Sequence, residues 1–345
     1  MILNRNMKSQ KVYREKPFNL NSKDEYMFEH EYIKVFEKFH IKIFSNITIF
    51  NNIFYFKGVF RFKSRYWRMN EYSKKQKIIF FINDIYKFFK NVNNPVEVIN
   101  EGIWVTDQKS HQYFHWIADV LPRIEGIIKQ NDININNIPI VLPENYKKNK
   151  YITDLIDIYK LRPIYLEKDI NYKFNKLIVS SHAAPAGNFD EQLIKSQSYR
   201  LKSLIETDHK FKNKRIWISR QIAEKRKISN FEEIERILKE YDFEIFEFEN
   251  ISIEEQFKIV KNADTLGGIH GAGLVNMLLM DSNCKIIEVR GNGDKVNNCF
   301  FSLSSALNLK YFYFLAEVEN KNFFNSNYYI EPSKFEFFLE QTLSK

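Results

Sequence analysis

Three short stretches of this sequence carry residue types and spacings suited to chemistry. The first is TLGGIHGAGLVNMLLM, Thr265–Met280. The chain has 10 glycines in 345 residues, and Gly267, Gly268, Gly271 and Gly273 crowd around His270 here. Glycines between a short strand and an apolar helix let the backbone come close to a ligand. The first N–H groups of that helix then face an anion. The turn therefore reads as a phosphate cradle, with His270 and Asn276 as hydrogen-bond donors beside it. A tight strand-to-helix turn without a ligand is the competing explanation. The spacing is neither GxGxxG nor that of a P-loop, so the usual dinucleotide and nucleoside triphosphate motifs are absent.

The second stretch is WISRQIAEKRKISN. It places Ser219 and Arg220 at the end of a strand, with Arg226 and Asn230 just beyond. An arginine at a strand's carboxyl end can grip a diphosphate with both arms of its guanidinium. Downstream, KIIEVR holds Glu288 near the end of its strand, where a carboxylate can accept hydrogen bonds from ribose hydroxyls. A salt-bridging or capping glutamate is the equal alternative.

The third stretch is SHQYFHWIADVLPRI. His111, His115 and Asp119 are spaced i, i+4, i+8 and would share one face of a helix, with Ser110 as its cap. Pro122 breaks or kinks that helix. A polar stripe among apolar residues has three explanations: a hydrogen-bonded core stripe, a zinc site using His111 and His115, or general-base chemistry at Asp119 or His115. Asp119 could also pair with Arg123 at i+4 and serve the helix alone.

The elements that must position these residues follow from the pattern of the chain. Residues from about 43 to 62 alternate like paired strands. PVEVINEGIWVTD, IPIVLP and NKLIVSSHA read as strands around helical segments. APAGNFD, Ala184–Asp190, reads as a linker. After it, strands and helices alternate regularly to the C-terminus, which predicts a parallel sheet covered by helices. The expected fold class is α/β, with an N-terminal domain over residues 1–187 and a C-terminal Rossmann-like domain over 188–345.

Composition narrows the function classes. Hydrophobic residues make up 44% of the chain, with 32 Phe and 19 Tyr, ample for globular cores. The net charge of +9 suits an anionic membrane surface or a phosphate-bearing ligand. No nucleic-acid motif accompanies it, so nucleic acid is not an expected partner. The 2 cysteines make neither a disulfide framework nor a CxxC site. No signal peptide or membrane span is legible, and a cytoplasmic protein is expected.

Taken in order, FHWIADVLPRI, WISRQIAEKRKISN and ADTLGGIHGAGLVNMLLM with KIIEVR resemble glycosyltransferase family 61, over roughly Trp104 to Arg290. HGAGLVN with the upstream SR is the more specific part. The resemblance implies a GT-B architecture, two Rossmann-like domains facing a cleft. It implies an inverting glycosyltransferase that moves a sugar from a nucleotide sugar, usually UDP-linked, to a hydroxyl of a glycan or lipid-linked glycan, as in bacterial surface polysaccharide synthesis. No cofactor and no metal is implied. In that scheme Asp119 and His115 are catalytic, with His111 and Arg123 on the acceptor side. The donor is held by Ser219, Arg220, Arg226, Asn230, His270, Gly271, Ala272, Gly273, Asn276 and Glu288. Peripheral contact with an anionic membrane fits the charge. The rival readings are a metal-dependent hydrolase using His111 and His115, and a nucleotide-sugar-binding module without catalysis.

Overall fold

The computed structural model describes residues 9–50, 53–56, 59–61, 72–130, 133–185, 187–320, 323 and 325–344. It is a mixed α/β protein that divides into two compact units. Glu37–Ala186 belong to the first, and Gln10–Phe36 with Gly187–Lys345 to the second. The N-terminal segment joins the second unit through Phe18, whose N–H donates to the Tyr311 carbonyl at 2.9 Å, and Asn19, whose Nδ2 donates to the Tyr313 carbonyl at 2.8 Å; β1 (Ser9–Tyr13) and β2 (Ile33–Glu37) form a two-stranded ribbon.

The first unit is built on a seven-stranded sheet. Its strands are β3 (Ile41–Phe50), β4 (Ile53–Phe56), β5 (Val59–Arg61), β6 (Val96–Trp104), β7 (Ile140–Pro143), β8 (Pro163–Leu166) and β9 (Asn171–Ser180), in the order β5-β4-β3-β9-β6-β7-β8. The aromatic-rich alternation read from the sequence is the antiparallel flank β3-β4-β5. β3 also pairs with β9 antiparallel, and β9, β6, β7 and β8 run parallel. Ile47, Trp104, Val141, Phe174 and Leu177 fill its core. Burying a side chain of this kind stabilises by roughly 1.5–3 kcal/mol. From β6 the chain runs outward to β7 and β8, then returns to the other side of β6 as β9. The sheet therefore has a switch point between the carboxyl ends of β6 and β9, the place where open α/β sheets bind ligands.

The second unit has β10 (Arg215–Ile218), β11 (Phe243–Phe246), β12 (Thr265–Ile269), β13 (Lys285–Gly291), β14 (Lys310–Val318) and β15 (Tyr328–Tyr329), in the order β11-β10-β12-β13-β14-β15. All pairs are parallel except the short edge strand β15. Helices Phe231–Glu240 and Pro332–Leu343 cover one face, sharing a core of Trp217, Ile234, Leu238, Phe312, Phe335 and Leu339. In chain order the first five strands run 2-1-3-4-5, a doubly wound arrangement whose switch point lies between β10 and β12. Gly267 has a packing reason there: a Cβ on it would come within 2.6 Å of the Trp217 ring. The glycine supplies room for the neighbouring strand's tryptophan.

Several elements were not anticipated by the motif reading, the helix Lys74–Asn91 the longest of them. Ser73 and Gln76 form a reciprocal capping box at its start. Among the described residues, no helix is long and apolar enough to cross a membrane.

Candidate active site

Each sheet carries a polar cluster at its own switch point. In the second unit, Ser219 and Arg220 follow β10, and His270 and Gly271 follow β12. The Arg220 side chain lies against Gly271: a Cβ there would sit 2.9 Å from its Nη1. Gly271 is thus small because an arginine crosses it. Arg220 Nη2 donates to the Lys225 carbonyl at 3.3 Å, and Arg226 Nη1 donates to the His270 carbonyl at 2.8 Å. The Nε of each guanidinium is buried without a hydrogen-bond partner. No carboxylate forms an ion pair with either among the described residues. Burial lowers both pKa values, and for Arg226 the like charge of Arg220 lowers it further. Two guanidiniums held close in this way repel each other until an anion arrives, and an anion gains charge-assisted hydrogen bonds from both.

His270 is fixed from behind. Its Nδ1 hydrogen-bonds a Glu288 carboxylate oxygen, and the Tyr311 hydroxyl donates to the other oxygen. Arg290 backs this chain, with Nη1 at 2.7 Å from Asn298 Oδ1 and 3.4 Å from the Tyr311 hydroxyl. Burial alone would lower the Arg290 pKa; Tyr311, Glu288 and Asp294 more than offset that and raise it.

This arrangement corrects three residues of the sequence reading. Glu288 is fully buried with both oxygens engaged, so it faces His270 rather than a ribose. Asn276 is fully buried and donates to Gln256 Oε1 at 3.0 Å, which pins Ala272–Leu279 to the helix Ile253–Lys261. Asn230 clasps Ile330, donating to its carbonyl at 2.8 Å and accepting from its N–H at 3.2 Å. The segment Ala272–Leu279 is a 3₁₀ helix, tighter than the α-helix expected. The structure does bring Ser219, Arg220, Arg226, His270, Gly271, Ala272 and Gly273 to one switch point.

In the first unit, the motif helix starts at Tyr113, with Gln112 rather than Ser110 at its cap. His111 stands in the preceding turn, where its carbonyl accepts from the Tyr151 hydroxyl. It therefore lies outside the helix that carries His115 and Asp119, which corrects the three-residue helical stripe. Among the described residues no three His, Cys, Asp or Glu side chains gather as a metal site. The helix runs through Tyr113–His115, a π-helical stretch Trp116–Val120, and Leu121–Ile128. In the π stretch the Leu121 N–H donates to the Trp116 carbonyl, five residues back. The widened turn makes room for Pro122, which lacks an N–H and would crowd an ordinary helix. Pro122 is thus absorbed rather than breaking the helix.

His115 Nδ1 lies 2.6 Å from Asp119 Oδ2. Arg123 turns elsewhere: Nε donates to Ser180 Oγ at 2.9 Å and Nη2 to the Ser180 carbonyl at 3.1 Å. Its Nη1 sits 3.6 Å from Asp107 Oδ2. The Asp119–Arg123 pair weighed as the alternative to a base is not formed; the pairs are His115–Asp119 and Arg123–Asp107. Burial lowers the Arg123 pKa to about 10, so it remains a cation at neutral pH.

Asp107 and His182 escaped the motif reading. They follow β6 and β9, the two strands of the switch point, and His182 Nε2 is 3.4 Å from Asp107 Oδ2. Asp107 Oδ1 accepts the Lys109 N–H at 2.8 Å, and its own N–H donates to Ser110 Oγ at 2.8 Å. Burial lowers the His182 pKa, Arg123 lowers it further, and Asp107 and Asp119 oppose both. The only sequence signal was their position just past a strand.

The family model for glycosyltransferase 61 matches residues 113–287, half of the chain. That span begins at the motif helix and ends on β13, so it includes the His115–Asp119 pair and the turn around His270. The chain belongs to glycosyltransferase family 61. As a family 61 protein it acts by sugar transfer, with a sugar donor and a glycan acceptor as its substrates. No curated protein matches the chain.

Proposed function

We propose that this family 61 protein is an inverting, GT-B-type glycosyltransferase that uses a nucleotide diphosphate sugar, UDP-linked, as donor. The second unit holds the donor and the first supplies the base. The transferred group is a hexose or pentose, and the acceptor is a hydroxyl of a glycan or lipid-linked glycan in bacterial surface polysaccharide synthesis. A cytoplasmic site of action at the inner membrane face fits that acceptor.

The observation that carries the donor assignment is the pair Arg220 and Arg226 at the β10–β12 switch point, without a carboxylate partner. A diphosphate there meets both guanidiniums and the N–H groups of Ala272 and Gly273. The acceptor oxygen attacks the anomeric carbon from the face opposite the leaving diphosphate. The new glycosidic C–O bond forms as the C–O bond to the β-phosphate breaks. The hydroxyl proton passes to the His115–Asp119 pair, and the electron pair of the broken bond leaves with the diphosphate. Preorganised cations and N–H donors at the leaving group are commonly worth about 3–4 kcal/mol each in the transition state. Protein groups can do this without a metal or other cofactor.

A panel of nucleotide sugars tests the reading. One UDP-sugar is expected to bind by calorimetry, to hydrolyse slowly without acceptor, and to yield product of opposite anomeric configuration by NMR. Retained configuration would overturn inversion. Absence of binding to every nucleotide would overturn the donor site. Tight binding with no hydrolysis or transfer would favour a sensing module.

A further inference from the structure

The helix Lys74–Asn91 packs inward with Asp84 and Asn91, flanked by Phe80 and Phe88, and leaves much of its apolar surface exposed. Ile78, Ile79, Phe81, Ile82, Tyr86 and Phe89 are each between 45% and 69% exposed, while Asp84 is 1% exposed and Asn91 4%. At 3.6 residues per turn Ile78, Ile79, Ile82, Tyr86 and Phe89 fall on one broad face, opposite the line of Asp84 and Asn91, while Phe81 lies beside that line. The inward side is anchored. The Phe88 ring lies 5.0 Å from that of Phe50 on β3, and Asn171 Nδ2 donates to the Asn91 carbonyl at 2.7 Å. An apolar patch of this size on a surface helix marks a binding surface.

The charges say what covers it. The helix carries Lys74, Lys75, Lys77, Lys87 and Lys90, and its single acidic residue is the buried Asp84. We infer that this helix is a docking surface for an anionic lipid bilayer. It lies flat, with Ile78, Ile82 and Phe89 entering the boundary between head groups and acyl chains and Lys74, Lys75 and Lys90, on or beside that face, meeting lipid phosphates. Basic apolar helices bind membranes through these two terms together. A second copy of the chain is the poorer occupant, because a helix-to-helix contact would bring two sets of Lys74, Lys75 and Lys90 together. The net charge of +9 reinforces attraction to an anionic surface.

Flotation of the full chain with vesicles of phosphatidylcholine alone, and of phosphatidylcholine with phosphatidylglycerol, tests this without reference to sugar transfer. The protein is expected to float with the anionic vesicles and to bind them less in high salt. Ile82→Glu and Phe89→Ser are expected each to weaken that binding by about tenfold, consistent with loss of one buried large side chain. Lys75→Gln with Lys90→Gln, which leaves the apolar residues in place, is expected to weaken anionic binding and leave neutral binding unchanged. Thermal melts and UDP affinity on the same preparations are expected to match the wild type. Equal flotation with both vesicle types, or none, would overturn the inference. A dimer that Ile82→Glu dissociates would overturn it in favour of a second copy.

Discussion

Asp119 Oδ2 accepts a hydrogen bond from His115 Nδ1 at 2.6 Å, across one turn of a helix locally widened to the π form. π turns are frequent at functional sites, and a carboxylate bound to Nδ1 fixes both the tautomer and the orientation of an imidazole.

If this pair is the base, Asp119→Asn keeps the fold and the UDP affinity and lowers kcat by about 10²–10⁴, the usual worth of a general base. His115→Asn is expected to do the same. The double variant is expected to lose little more than either single one, because groups acting as a unit are non-additive. Near-normal turnover with a lowered melting temperature would make the pair structural.

Donor binding is expected to depend on the crossing of Arg220 over Gly271. Arg220→Ala should weaken UDP by roughly 1.5–3 kcal/mol, the range for charge-assisted hydrogen bonds. Gly271→Ala places a Cβ 2.9 Å from Arg220 Nη1. It is expected to weaken UDP in the same direction, since the arginine must move, while the melting temperature changes little. Calorimetry of both variants checks this; unchanged affinity in both would remove Arg220 from the donor site.

Glu288 separates a ribose contact from a supporting one. Its oxygens are occupied by His270 and Tyr311. Tyr311→Phe leaves one buried oxygen without its donor and is expected to cost about 1–3 kcal/mol of stability. Glu288→Gln is expected to lower stability and leave UDP affinity nearly unchanged. A large loss of affinity in a fully stable Glu288→Gln variant would restore the ribose contact.

His182 predicts a pH dependence of stability. The groups around it are Arg123, Asp107, Asp119 and His115, and burial with Arg123 sets a pKa below its ordinary 6.5. Between 6.5 and that lower value the unfolded chain binds a proton that the folded chain does not. Stability therefore rises with pH across this window and is lost on acidification. The melting temperature of the wild type is expected to fall more steeply below pH 6.5 than that of His182→Asn. Parallel curves would refute this.

Transfer is expected to continue in EDTA, since Arg220, Arg226 and the N–H groups of Ala272 and Gly273 stand where a leaving diphosphate needs positive charge. Activity that vanishes with the chelator and returns with manganese would assign that role to a metal.

The sequence by itself determined the family and most of the elements around its three motifs. Strand and helix periods are local, and so are the glycine turn, the SR at the end of β10 and the polar residues of FHWIADVLPRI. The capping box at Ser73 and Gln76 was equally local and equally legible, though it lay outside every motif. Tertiary structure alone decided partners and facing. Arg123 is matched with Ser180, 57 residues away, rather than with Asp119 one turn away. Glu288 turns inward because Tyr311, from the neighbouring strand, meets it there. Asp107 and His182 become neighbours only because β9 returns beside β6. Hydrogen-bond partners of buried charges are chosen by desolvation and by strand order, and neither quantity is a property of a short stretch of chain.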